Sequence, residues 1–203
     1  PTDVVGELPA SEPGPGAAAA PDPVARVQQP TAALAPVAPV VAPENFEPVV
    51  SDDEPREIVV ESEYVRAVFL NRGAKLISWQ LKQYDNDAGG PVELIPAEIE
   101  PGQVWPFSLC VPGDAQLTAR LDEALFRASA SVLQLSADAA TLTFDYEDSS
   151  GLRARKSFTF QAEVGQPYVV EFDATVTTVA GSVPLTMRWG PAIGGIREAA
   201  SRL

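Results

Sequence analysis

Apolar and polar residues alternate along most of the chain beyond residue 57, and the pattern is sharpest from Tyr64 to Tyr84. In the second half of that stretch Ile77, Trp79 and Leu81 alternate with Ser78, Gln80 and Lys82. That period of two belongs to a strand with one face in a core and one in water, because successive side chains point to opposite sides. In the first half Val65, Ala67 and Phe69 share one face, and Tyr64, Arg66, Val68 and Leu70 the other, so this strand is expected to be covered on both sides. Asn71-Arg72-Gly73 joins the halves; Gly73 accepts a positive φ without strain, and Asn71 tolerates one better than most residues. The stretch predicts a β-hairpin.

The same reading predicts strands at Glu57–Glu61, Val92–Ile95, Trp105–Val111, Val132–Ser136, Thr141–Glu147, Leu152–Gln161, Tyr168–Thr177 and Val183–Trp189. Asp85–Gly90, Pro112-Gly113-Asp114, Asp148–Gly151 and Val164–Pro167 supply turn residues between them. Leu142, Phe144 and Tyr146 alternate with Thr141, Thr143 and Asp145, which suits a sheet in a sandwich. No convincing helical period appears, and Asp122–Ala130 fits one or two helical turns and a strand equally well. Short strands punctuated by turns predict an all-β fold.

Residues 1–56 read differently. Twelve of the chain's twenty prolines fall between Pro1 and Pro55, with a run of four alanines and hardly any aromatic residue. Such a segment buries too little apolar surface to offset its ordering entropy, so it is expected to be a disordered, acidic, Pro/Ala-rich linker ahead of a domain at 57–203. Its most apolar run, Thr31–Pro43, is broken by Pro36 and Pro39 and is neither a signal core nor a membrane span.

Charge narrows the function. With 28 acidic and 14 basic residues the formal net charge is −14, and no basic cluster exceeds Arg153–Lys156. Nucleic acid is therefore not an expected partner. The chain has no histidine and one cysteine, Cys110 between Leu109 and Val111. This composition excludes metal sites of histidine or multiple-cysteine type and makes Cys110 a small hydrophobe rather than a nucleophile.

Three constellations remain. Gly190-Pro191-Ala192-Ile193-Gly194-Gly195 lacks the spacing of a phosphate loop and reads as a turn. Asp145, Glu147 and Asp148 form an acidic edge beside a hairpin turn at Ser149-Ser150-Gly151, opposite Arg153, Arg155 and Lys156. Cross-strand ion pairs explain both sets without a catalytic site. The tryptophans Trp79, Trp105 and Trp189 are the remaining candidates for partner or groove contacts, with a place in the core as the ordinary reading of each.

Tyr64-Val-Arg-Ala-Val-Phe-Leu-Asn-Arg-Gly-Ala and Ile77-Ser-Trp-Gln-Leu-Lys-Gln-Tyr84 resemble the start of the large periplasmic domain of YidC-type membrane protein insertases of Gram-negative bacteria. The likeness continues through Pro91–Pro96, Trp105–Leu109, Thr141–Tyr146, Gly151–Phe160 and Trp189-Gly-Pro-Ala-Ile-Gly194, covering about Glu57 to Ile196. It implies a β-super-sandwich related to galactose mutarotase and sugar-binding folds, of which this chain is expected to hold only the first part. Such a fragment is expected to be marginally stable and prone to associate.

By the same resemblance the chain is a non-enzymatic part of an inner-membrane insertase and chaperone, facing the periplasm and anchored through segments outside the sequence. No cofactor is implied; the implied partners are the Sec translocon components SecDF and SecYEG and nascent membrane proteins. Mutarotase chemistry uses histidine as acid and base, and this chain has none. The alternative is a secreted or periplasmic carbohydrate-binding β-sandwich.

Overall fold

The computed structural model describes residues 46–136, 138–161 and 167–190. The linker up to residue 45, most of the expected turn at Val164–Pro167 and the glycine-rich run after Gly190 lie outside the described residues. In chain order the elements are β1 (Pro48–Val50), β2 (Glu57–Glu61), β3 (Val65–Leu70), β4 (Lys75–Asp85), β5 (Pro91–Glu93), β6 (Ser108–Cys110), α1 (Ala115–Glu123), β7 (Arg127–Ala128), β8 (Val132–Gln134), β9 (Ala140–Asp148), β10 (Arg153–Phe160), β11 (Val170–Thr178), β12 (Gly181–Ser182) and β13 (Thr186–Arg188).

The fold is an all-β sandwich. One sheet runs β1-β9-β10-β11-β12 with β7 also on β9, the other β5-β4-β3-β2-β8, and β13 pairs with β6 in a two-stranded piece. Phe69 of β3 meets Phe158 and Phe144 across the interior at centroid distances of 4.7 and 5.9 Å. Ile58, Val60, Leu142, Leu152 and Phe160 join it in one continuous core.

The hairpin forms as its pattern predicts, with Leu70 opposite Lys75, but its second strand changes phase. The pairing steps from Val68↔Ser78 to Phe69↔Leu76, leaving Ile77 as an extra residue in a β-bulge. Leu76 and Trp79 are therefore both buried, and Ile77 is only half-buried, although simple alternation sets Ile77 inward. Glu93 supports the distorted strand: its carboxylate accepts the Trp79 N–H (2.7 Å) and the Ser78 hydroxyl (2.5 Å).

In the turn Gly73 has φ 70° as expected, but Ala74 rather than Asn71 is the non-glycine residue that goes left-handed. Asn71 is fully buried, accepting the Arg56 N–H (2.8 Å) and donating to Glu54 O (2.9 Å) and Asp52 Oδ2 (3.0 Å). These bonds carry the folded body into the segment whose composition reads as linker. Within that segment β1 pairs with β9, and the Phe46 ring lies under the Arg120 guanidinium at 3.8 Å.

No convincing helical period stands out in the sequence, yet Ala115–Glu123 forms the short helix α1. Asp114 caps it by accepting the Leu117 N–H (2.8 Å), and Leu117 and Leu121, four residues apart, put one stripe on the core. Asp122 and Glu123 end the helix, Phe126 turns inward, and Arg127–Ala128 is strand, so the ambiguous stretch is both things in sequence. The helix end docks under the hairpin turn, where Gly73 N–H donates to Ala124 O (2.8 Å). A Cβ on Gly73 would stand 2.7 Å from Asp122 O, so the position requires glycine for space as well as for φ.

Candidate functional site

An open apolar cleft of about 570 Å³ lies between the edges of the two main sheets. Leu76, Trp79, Leu81, Leu94 and Ile95 line it from the hairpin side, Val170 and Phe172 from β11 with Tyr168 just ahead of it, and Phe107, Met187 and Trp189 from the β6–β13 side. Two of the three candidate tryptophans meet here. Trp79 is 9% exposed and stacks on Phe160 at 6.5 Å, while Trp189 is 45% exposed and meets Phe107 edge-on at 4.9 Å. Trp105 packs half-buried against the core and is not among the lining residues.

The expected strand Trp105–Val111 shrinks to Ser108–Cys110 because Phe107 has φ 65°, which breaks the ladder ahead of it. A bulky residue in that region is strained and persists only where its surroundings hold it. The Phe107 carbonyl oxygen is bound by Lys156. This side chain is 1% exposed, and its ammonium donates to the carbonyl oxygens of Gly73 (2.6 Å), Phe107 (2.7 Å) and Ala74 (3.1 Å). The Phe126 ring lies 5.7 Å away. Burial lowers the Lys156 pKa to about 7; the Asp122 carboxylate opposes that shift, and Lys75 adds to it.

The expected acidic edge divides. Asp145 pairs with Arg155 (2.6 Å) and Glu147 with Arg153 (2.8 Å) across β9 and β10, the cross-strand arrangement that the sequence suggests. Asp148 and Lys156 do not belong with them, and their expected place on the solvated edge is corrected. Asp148 is 2% exposed, bonded to Arg120, to the Tyr146 hydroxyl (3.1 Å) and to Ser150 through its hydroxyl (2.7 Å) and N–H (3.0 Å). Burial pushes its pKa up, but the bonds from Ser150 and Arg120 together outweigh burial and hold the carboxyl below its usual range.

Sequence reasoning missed Lys156, although a signal was present. Lys156 shares the parity of Leu152, Ala154, Phe158 and Phe160, and Asp148 that of Leu142, Phe144 and Tyr146, so alternation places both on inward faces. Phe107, Phe172 and Met187 of the cleft had no comparable local signal, because they converge from three separate segments. Cys110 is a free, half-buried thiol in β6.

Among the described residues no helix is long and apolar enough to cross a membrane, and no cluster of three or more His, Cys, Asp or Glu forms a metal site. The cleft lining is almost wholly apolar, with the Tyr168 phenol as its one polar side-chain group beside the Trp indoles. Its geometry suits contact with apolar surface, the default use of such a pocket. The class defined so far is a two-sheet β-sandwich with one short helix and an open apolar cleft.

The family model of the YidC periplasmic domain matches residues 57–189, and the chain belongs to that family. The family is non-enzymatic, associated with membrane protein insertion, and implies a membrane-anchored protein with a periplasmic portion. No curated protein matches the chain.

Proposed function

We infer that the chain is the periplasmic portion of an inner-membrane protein insertase, assisting insertion and folding of membrane proteins alone or beside the Sec translocon. The family match over residues 57–189 carries this reading. The domain acts by contact rather than catalysis, with SecDF, SecYEG and nascent membrane proteins as its partners. Trp79 and Trp189 are its contact residues at the cleft, Trp189 through its exposed ring and Trp79 from the buried wall. The apolar lining supports this role, because a cleft of indole, phenyl and aliphatic groups favours an apolar segment. A glycan site would bring several hydrogen-bond partners to its aromatic platform, and here Tyr168 stands almost alone.

Site-specific photocrosslinking from positions 187 and 189 of the membrane-anchored protein in cells tests this function. Adducts with a Sec component or a nascent membrane protein are expected, together with slowed insertion in Trp189→Ala. Crosslinks to neither, with insertion at its normal rate, would overturn the reading.

A further inference from the structure

Among the described residues two non-glycine residues have positive φ, Ala74 at 44° and Phe107 at 65°, and the buried Lys156 ammonium bonds the carbonyl oxygens of both. Its third acceptor, Gly73 O, belongs to another left-handed residue, at φ 70°. Three left-handed residues from two separate loops thus converge on one cation. Among the described residues no backbone N–H in the loops reaches any of the three carbonyls.

An ammonium has three N–H donors and no lone pair. Charged Lys156 therefore has one donor for each carbonyl, whereas a neutral amine has two donors and a lone pair that would face the third oxygen. Lys156 sits on the inward face of β10, the turn 71–74 joins β3 to β4, and Phe107 directly precedes β6. Phe107 is the cleft wall against which Trp189 rests, and its ring also meets Phe158 and Phe172, each at 5.0 Å.

We propose that Lys156 is the positioning residue of the apolar cleft: its charged form holds Phe107 in the left-handed conformation that builds the wall, and loss of the proton releases that wall. The inference concerns the shape of the cleft and does not depend on which partner the cleft meets. The charged groups around the ammonium set its titration. Asp122 of α1 favours the charged form and Lys75 of β4 disfavours it, while burial brings the pKa down to about 7. Arg188 of β13 and Glu123 of α1 act at one remove through Asp122, whose own pKa is raised by burial. The Phe126 ring is the remaining neighbour that favours a cation.

A pH titration of the full chain by nuclear magnetic resonance tests the proposal. The Lys156 Cε resonance, the Ser108 amide after Phe107 and the Trp189 indole N–H are followed together, with Nile red binding as a readout of the cleft. The three resonances are expected to share one midpoint near 7, well below the ordinary lysine value of 10.5, and dye affinity to fall several-fold across it as pH rises. Asp122→Asn is expected to lower the shared midpoint, and Lys156→Met to abolish the transition in Ser108 and Trp189. A structural lysine without this role would titrate while Ser108 and Trp189 stayed still, which would overturn the proposal. The same transition persisting in Lys156→Met would overturn it as well. Should Lys156→Met fail to fold, the wild-type titration and Asp122→Asn still decide between these outcomes.

Discussion

The β9–β10 hairpin carries charge on both of its faces, and the two faces use it in opposite ways. Outside, Asp145–Arg155 and Glu147–Arg153 pair directly across the strands in water. Inside, Asp148 and Lys156 are buried, and each makes hydrogen bonds that reach other parts of the fold. Asp148 ties the hairpin turn to α1 through Arg120, and Lys156 ties β10 to the turn 71–74 and to Phe107. The outer pairs join neighbours that the ladder already joins, so they add little. The inner groups join segments that are not paired strands, and they do so from side chains buried away from water.

The difference predicts a steep order of effects. Lys156→Ala removes the donor for three buried carbonyls and leaves a cavity, and is expected to destabilise the fold by about 3–5 kcal/mol in urea unfolding. A loss below about 0.5 kcal/mol, the usual size for a surface site, would place Lys156 with the outer charges.

Trp79→Ala tests the cleft's buried wall in the same way, with an expected loss of about 3 kcal/mol, the low end for a large core aromatic because one side of the ring borders the cleft. Gly73→Ala forces both a left-handed alanine and a Cβ at 2.7 Å from the Asp122 carbonyl, and is expected to cost about 2 kcal/mol or more.

Asp148→Asn keeps the shape and loses the charge, with a smaller expected loss of about 1–2 kcal/mol because Arg120 is partly open to water. The folded pKa of Asp148 is depressed, so its stabilisation is present above the ordinary carboxylate range and is lost as pH falls through the folded value. The asparagine variant should therefore converge on the wild type in acid. A stability gap that stays constant from neutral to acidic pH would contradict the charged role of Asp148.

Lys156 has the opposite dependence. Its pKa falls from 10.5 to about 7 on folding, so between those values the unfolded chain binds more protons than the folded one. The lysine's own contribution then becomes more favourable as pH rises from about 7 towards 10.5, and below 7 the full cost of burying the charge is present. The stability of wild type relative to Lys156→Met should rise with pH over that window. A flat difference would mean that Lys156 keeps an ordinary pKa.

The smallest effects belong outside. Arg153→Ala and Arg155→Ala should leave the unfolding midpoint within experimental scatter of the wild type, and any difference should vanish at high salt.

Much of this was legible in the alternation. β2 has the expected bounds, the hairpin pairs as its two apolar runs suggest, and the acidic and basic positions outside β9 and β10 meet as opposite strands require. The likeness to the YidC periplasmic domain, read from residues such as Tyr64–Tyr84 and Gly151–Phe160, agrees with the match over 57–189, which stops at the first residue of the Trp189-Gly-Pro-Ala-Ile-Gly194 run. The failures have physical causes. Charge was read as a sign of exposure, which hid Lys156 and Asp148 even though their parity matched the core. A single bulge residue, Ile77, reversed the phase of β4, and bulges leave little trace in a pattern of period two. Helix α1 has only one apolar stripe of Leu117 and Leu121, too short to stand out, though Asp114 after Pro112-Gly113 marks its start. The cleft depends on Phe107, Phe172 and Trp189 converging from distant segments, and no local pattern encodes that.

The claim that inward charge rather than outward pairing ties the hairpin to the opposite sheet is tested most directly by native-state hydrogen exchange at Gly73 and Ala74. Their amides bond Ala124 O (2.8 Å) and Asn71 O (3.1 Å) in the turn whose carbonyls Lys156 holds. In Lys156→Met both amides should lose much of their protection, while the double variant Arg153→Ala, Arg155→Ala exchanges like the wild type. Unchanged protection in Lys156→Met, or greater loss in the double variant, would contradict the account.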